Sequence, residues 1–203
     1  MENETADFSA IVQEITTCTK CGLGQNRTNA VPGEGSLSAK LMFVGEGPGK
    51  NEDEQGRPFC GASGKFLDEL LAHIGLKRAD VYITNVVKCR PPNNRDPFED
   101  EIKTCTPYLE RQIAIIKPLV ISTLGRHAMN HFLPGVKIGQ VHGKPLRRDG
   151  QVYIPLYHPA VALYRASMRE QLTHDFEIIK KVLTKLKTNN LEVTKSPIQE
   201  HLF

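Results

Sequence analysis

The sequence predicts an α/β fold: three layers, α/β/α, around a central four-stranded parallel sheet. Two patterns predict it. Short apolar runs alternate with amphipathic helical segments, as in strands joined by crossover helices. Three of those runs stop at polar, turn-rich segments: Gly45-Glu46-Gly47, Asn85 with the loop that follows it, and His158-Pro159. In a parallel sheet the carboxyl ends share one edge, and open α/β sheets take their ligands there. Glu46, Asn85 and His158 are therefore expected to meet in one cleft although they are far apart in sequence. The 203 residues, 39% hydrophobic and 24% charged, suffice for one domain with a real core. That domain is expected to fill residues 1–187, leaving residues 188–203 as a polar, flexible tail.

The elements follow in order. Residues 8–17 read as a short amphipathic helix, followed by Cys18-Thr19-Lys20-Cys21 and then a loop over residues 26–38. Leu41–Glu46 is the first strand. Residues 61–74 form a helix whose apolar face is Phe66, Leu67, Leu70, Leu71 and Ile74, ended by Gly75. Residues 81–87 are the second strand, and residues 88–98 (KCRPPNNRDPF) a Pro- and Asn-rich loop. A helix over 99–116, a strand over 119–124 and a short helix over 126–132 come next. Residues 135–150 are a basic, irregular or hairpin segment. Residues 152–157 are the fourth strand, and residues 170–187 a long last helix with Leu172, Phe176, Ile179 and Val182 inward.

No apolar run is long enough to cross a bilayer. The N-terminus, MENETADFSAIVQ, lacks the basic-then-apolar pattern of a secretory signal, so a cytoplasmic protein is expected, and a monomer. A net charge of +3 permits nucleic-acid binding without arguing for it. The glycine stretch GEGPGKN has neither the GK[ST] of a P-loop nor a complete dinucleotide fingerprint, which counts against a nucleotide-binding redox enzyme.

Leu41–Phe59 (LMFVGEGPGKNEDEQGRPF) carries the chemistry. A carboxylate at a strand end, glycine amides and the Phe59 ring suit a flat polar ring such as a nucleobase. Five cysteines cannot all pair within the chain. Cys18 and Cys21 form a C-x2-C chelate, and Cys89 and Cys105 complete a set of four thiolates that suits zinc or an iron–sulfur cluster. Such a centre would tie the N-terminal helix to the core. Cys60, beside Phe59, reads as a small packing residue.

Together these motifs resemble a known family. GEGPG at 45–49, GRPF at 56–59, TNVVKCRPPNNRDP at 84–97, HPAVALY at 158–164 and the four cysteines are similar to the thermostable, iron–sulfur uracil-DNA glycosylases, the family-four branch. The resemblance spans about residues 8–187. It implies the uracil-glycosylase sandwich, a structural 4Fe–4S cluster on Cys18, Cys21, Cys89 and Cys105, and hydrolysis of the N-glycosidic bond of deoxyuridine in single- or double-stranded DNA. It further implies that Phe59 stacks on the flipped base, Asn85 reads its edge, and His158, with the Gly47 amide, stabilises the departing uracil. Glu46 would orient the attacking water or stabilise the sugar cation. Glu52, in the run Glu52-Asp53-Glu54, would crowd the ring's 5-position and reject thymine. Leu163 or Tyr164 would fill the space left by the base and Arg165 contact a phosphate. Glu46 separates the chain from the broader-specificity, family-five relatives, whose first motif lacks the acid. The absence of histidine from KCRPPNNRDP separates it from a covalently trapping relative. The alternative from another class is a non-catalytic, metal-containing DNA-binding module. Gln199–Phe203 resembles a sliding-clamp peptide, with a Leu/Phe plug and a glutamine at its edge.

Overall fold

The computed structural model describes residues 2–189. In chain order the elements are α1 (Glu2–Thr17), the single turn α2 (Leu23–Asn26), β1 (Glu34–Gly35), β2 (Leu41–Gly45), α3 (Lys50–Gln55), α4 (Ala62–His73), β3 (Tyr82–Asn85), α5 (Glu99–Ile116), β4 (Val120–Leu124), α6 (Arg126–Phe132), α7 (Ile138–Val141), β5 (Leu146–Arg148), β6 (Gln151–Leu156) and α8 (Ala166–Asn189). The strands form one sheet in the order β1-β3-β2-β4-β6-β5.

Strands β3, β2, β4 and β6 run parallel, as the alternation of strands and helices requires. The sheet is nevertheless six strands wide, because β1 and β5 add antiparallel edges. Both are only two or three residues long, too short to leave a periodic signal. β5 and β6 form a hairpin closed by Asp149-Gly150, whose φ angles of 50° and 81° lie in the left-handed region. Of the basic segment 135–150, only the end is this hairpin; its earlier part holds the single turn α7.

β2 is buried along its whole length and shows why there are three layers. Leu41 and Phe43 pack with α4 and α8 on one face, while Met42 and Val44 pack with α1 and α5 on the other. Phe43 stacks on Phe176 at 5.6 Å between ring centroids. Leu172, Phe176, Ile179 and Leu183 make the buried stripe of α8. That helix starts at Ala166, earlier than expected, and Val182 is only partly buried at its margin.

Helix α3 was not expected, because KNEDEQ has no apolar stripe. It is held by its ends: the Gly49 N–H donates to Glu52 Oε2 at 3.1 Å, and Gly56 closes the helix with φ 68°. Among the described residues no helix is long and apolar enough to cross a membrane. The clamp-like peptide and almost all of the expected tail lie outside the described residues.

Candidate active site

The carboxyl ends of β2, β3 and β6 meet as expected. Glu46, Asn85 and His158 line one cleft of about 450 Å³, together with Gly47, Glu52 and Phe59. The convergence follows from the parallel register, in which Gly45 pairs with Asn85. The ladder continues past the strand ends, with the Val86 and Val87 amides donating to the Gly45 and Glu46 carbonyls at 2.9 and 3.0 Å. Glycine at position 45 makes room for the site: an added Cβ would collide with Asn85 Oδ1 and press on the Phe59 ring, displacing both side chains.

Asn85 is 1% exposed, and its Oδ1 has no hydrogen-bond partner among the described residues. Buried polar atoms are nearly always paired, so this acceptor is aimed at something that enters the cleft. Behind it, Lys88 Nζ donates to the Asn85 carbonyl, Thr84 Oγ1 and Gln112 Oε1 at 2.7–2.8 Å. Three acceptors match the three hydrogens of an ammonium, although burial pulls the Lys88 pKa down to about 7.

Phe59 is buried with φ 50°, a backbone conformation that non-glycine residues rarely adopt. Its ring lies beside that of His158, with centroids 5.5 Å apart and planes 27° apart. Of the acidic run, only Glu52 lines the cleft. Asp53 is buried and accepts from the Thr28 and Asn29 amides, while Glu54 pairs with Lys50. Both Glu52 oxygens are occupied: Oε2 accepts from the Gly49 amide, and Oε1 from the Cys60 and Gly61 amides at 3.0 and 3.2 Å. Glu52 thus ties the first glycine loop to the Phe59 turn. Cys60 has its amide and thiol on Glu52, apart from the other four cysteines.

The two ionisable strand-end groups are tuned in opposite senses. Burial raises the pKa of Glu46, with His127 and Arg126 opposing and Asp96 reinforcing. Burial lowers that of His158, with Glu52 opposing. His158 Nδ1 accepts from the Ala160 amide at 3.1 Å, so the neutral ring carries its hydrogen on Nε2 as a donor.

Beyond His158 a 3₁₀ turn, Pro159–Leu163, leads to the exposed end of this edge. Leu163 is 42% and Tyr164 87% exposed, which is unusual for large apolar side chains, and Arg165 is exposed beside them.

Cys18, Cys21, Cys89 and Cys105 line one small cavity between α1, the loop after β3, and α5. Arg27 donates to Cys89 Sγ at 2.9 Å and the Lys88 amide to Cys105 Sγ at 3.3 Å. Such N–H contacts are what thiolate ligands receive around a metal centre. Burial pushes the Cys105 thiol up to about 11, so the nearby charge of a metal is what would hold it ionised. The donor set fits a four-thiolate centre.

A family model described as "Uracil DNA glycosylase superfamily" matches residues 32–187. The chain is 50% identical over 184 residues to a type-4 uracil-DNA glycosylase of Sulfurisphaera tokodaii, covering 85% of this chain and 83% of the relative. It is 51% identical over 178 residues to one of Archaeoglobus fulgidus, covering 83% and 89%. The chain belongs to the type-4 uracil-DNA glycosylases.

Sequence reasoning missed two contributors. Lys88, read as loop, is buried beneath Asn85; a lysine next to a ligand-type cysteine carries no such signal. His127 lies 3.9 Å from Glu46. Its signal was present, since Gly125-Arg126-His127 follows a fourth strand end at the same edge. Glu52→Ala should leave three amides unpaired and loosen the wall around Phe59. A stability loss of about 1–3 kcal/mol and a raised KM are expected, read by thermal unfolding and steady-state kinetics.

Proposed function

We propose that this protein excises uracil from DNA, hydrolysing the N-glycosidic bond to leave free uracil and an abasic site, the opening step of base excision repair. The observation that carries this reading is the buried, unpaired Asn85 acceptor beside Phe59 and His158. A base in a duplex is out of reach, so the nucleotide is flipped into the cleft. Phe59 offers the ring a stacking face. Asn85 Oδ1 accepts from the N3–H of uracil, and its amide donates to the neighbouring carbonyl. Cytosine has no hydrogen at N3 and an amino group at position 4, so it leaves that oxygen unpaired and opposes donor to donor. A wall braced by Glu52 resists the added methyl group of thymine.

As the bond from C1′ to N1 breaks, its electron pair goes to uracil and the sugar becomes cationic. His158 Nε2–H, with the Gly47 amide, meets the growing charge on the uracil oxygen. A neutral donor suits this role, because it needs no acidic pH to be in place. In this reading Glu46 orients the water that attacks C1′ and offsets the sugar's positive charge. Leu163 or Tyr164 fills the gap in the strand, and Arg165 meets a phosphate.

The four cysteines hold a 4Fe–4S cluster in this reading, with a structural part. It would pin α1 and α5 to the loop after β3, next to the Asn85 support, and supply no step of the reaction. The protein acts as a monomer in the cytoplasm. Gln199–Phe203 serves as a sliding-clamp peptide, an assignment made from sequence alone.

Purified protein should release uracil from uracil-containing single-stranded DNA. Asn85→Ala and His158→Ala should each lower kcat/KM by roughly 10²–10³-fold while keeping the circular dichroism of the parent. A protein that binds DNA but releases no base would be the non-catalytic module instead. The solution should be brown, with broad visible absorption that Cys89→Ala removes; a colourless, zinc-loaded protein would contradict the cluster. Deleting residues 196–203 should abolish capture by a sliding clamp and leave uracil release intact, and retained capture would end the clamp assignment.

A further inference from the structure

Strand β4 ends at the same sheet edge as β2, β3 and β6, and it brings a histidine. Gly125, with φ 96°, turns the chain from β4 into α6, and His127 is the second residue of that helix. Its Nδ1 lies 3.9 Å from Glu46 Oε1, a buried oxygen with no hydrogen-bond partner among the described residues. On the far side of the ring, Arg126 Nε donates to Nε2 at 2.9 Å, and Asp96 Oδ2 lies 3.3 Å from the same nitrogen. Accepting from Arg126 uses the Nε2 lone pair, so the neutral ring carries its hydrogen on Nδ1. A protonated ring carries hydrogens on both nitrogens and turns Nε2–H to Asp96. In either state an N–H faces Glu46.

That separation is too long for a direct hydrogen bond, but a second cavity opens there. It measures about 200 Å³ and is lined by Glu46, His127, Asn130 and His131 among others. At ~30 Å³ per molecule it has room for several waters, but Glu46 Oε1 is shielded from them, so His127 acts on it through the field of its N–H. Glu46 borders both this cavity and the main cleft.

We propose that His127 is a positioning residue for Glu46: its Nδ1–H, facing the shielded Oε1 at 3.9 Å, attracts the carboxylate and holds it toward the sugar. The proposal rests on the reading of Glu46 as the carboxylate that orients the attacking water. The titratable and charged groups around Glu46 are His127, Arg126 and His131 from α6 and Asp96 and Arg95 from the loop before α5, with Glu52 and His158 also lining the cleft. Burial raises the Glu46 pKa, and His127 is the largest influence that lowers it. Removing His127 therefore moves Glu46 protonation to higher pH, and activity that needs the ionised form is lost at a higher pH than in the parent.

The test is single-turnover uracil release against pH for His127→Leu, His127→Gln and His127→Asn in the cluster-containing protein. The His127 side chain is 34% exposed, so substitution there need not disturb the core. The Leu and Gln variants should lose roughly 10-fold in rate with KM nearly unchanged, and their acid limb should move to higher pH. The Gln amide falls near the Nε2 position, away from Glu46. Asn places its amide near the Nδ1 position and should restore most of the rate, while its acid limb stays displaced because the amide lacks the ring's charge. Parent-like rates and an unmoved acid limb in the Leu and Gln variants would overturn the proposal. Glu46→Gln, measured alongside, separates the two claims. If it is crippled while the His127 variants behave as the parent, His127 alone is misassigned. If it is fully active, the reading of Glu46 falls and this proposal falls with it.

Discussion

The site depends on one buried amide whose acceptor has no partner among the described residues. Leaving Asn85 Oδ1 without a partner costs the fold about 1–3 kcal/mol, and a ligand with a matching N–H returns it. The amide is useful only if it cannot turn. The flanking backbone is fixed by continuation of the parallel ladder beyond the strand ends, and the Asn85 carbonyl is anchored by buried Lys88. Gly45, directly across the ladder, leaves room for the side chain where any Cβ would collide with it. The position of the Asn85 amide is therefore set by the sheet edge, and in the proposed reading specificity follows from it.

The charged groups divide the work. Breaking a glycosidic bond separates charge, negative on the base and positive on the sugar. The cleft has a neutral N–H donor in His158 and a carboxylate in Glu46, and burial shifts both pKa values toward the uncharged forms. In the proposed reading this shift suits His158, which acts there as a neutral donor. For Glu46 it works against the ionised form, which gives the neighbouring His127 and Arg126 their importance. Glu52 shows the opposite arrangement: a carboxylate whose oxygens are taken by backbone amides braces the wall and leaves proton chemistry to others.

The parallel core and the meeting of Glu46, Asn85 and His158 were legible because both follow from periodicity and strand direction. The cysteine set could be proposed because C-x2-C is a compact chelate, and the four cysteines line one cavity. The edge strands β1 and β5 were not legible, being too short for side-chain alternation to register. Helix α3 was hidden because capping and a carboxylate, rather than an apolar face, hold it. The work of Glu52 was half visible: its place on the cleft wall could be anticipated, but its amide partners at Cys60 and Gly61 depend on a turn eight residues away in sequence. Lys88 and His127 were missed for different reasons. Burial of a lysine is a tertiary fact, whereas His127 followed from the strand-end rule applied to three strands of the four.

The most direct test of the Asn85 reading is a crystal structure of the protein with free uracil. The account predicts the ring against Phe59, its N3 about 2.9 Å from Asn85 Oδ1, and its O2 facing His158 Nε2. Uracil bound outside this cleft, or bound within it with N3 turned away from Asn85, would contradict the account.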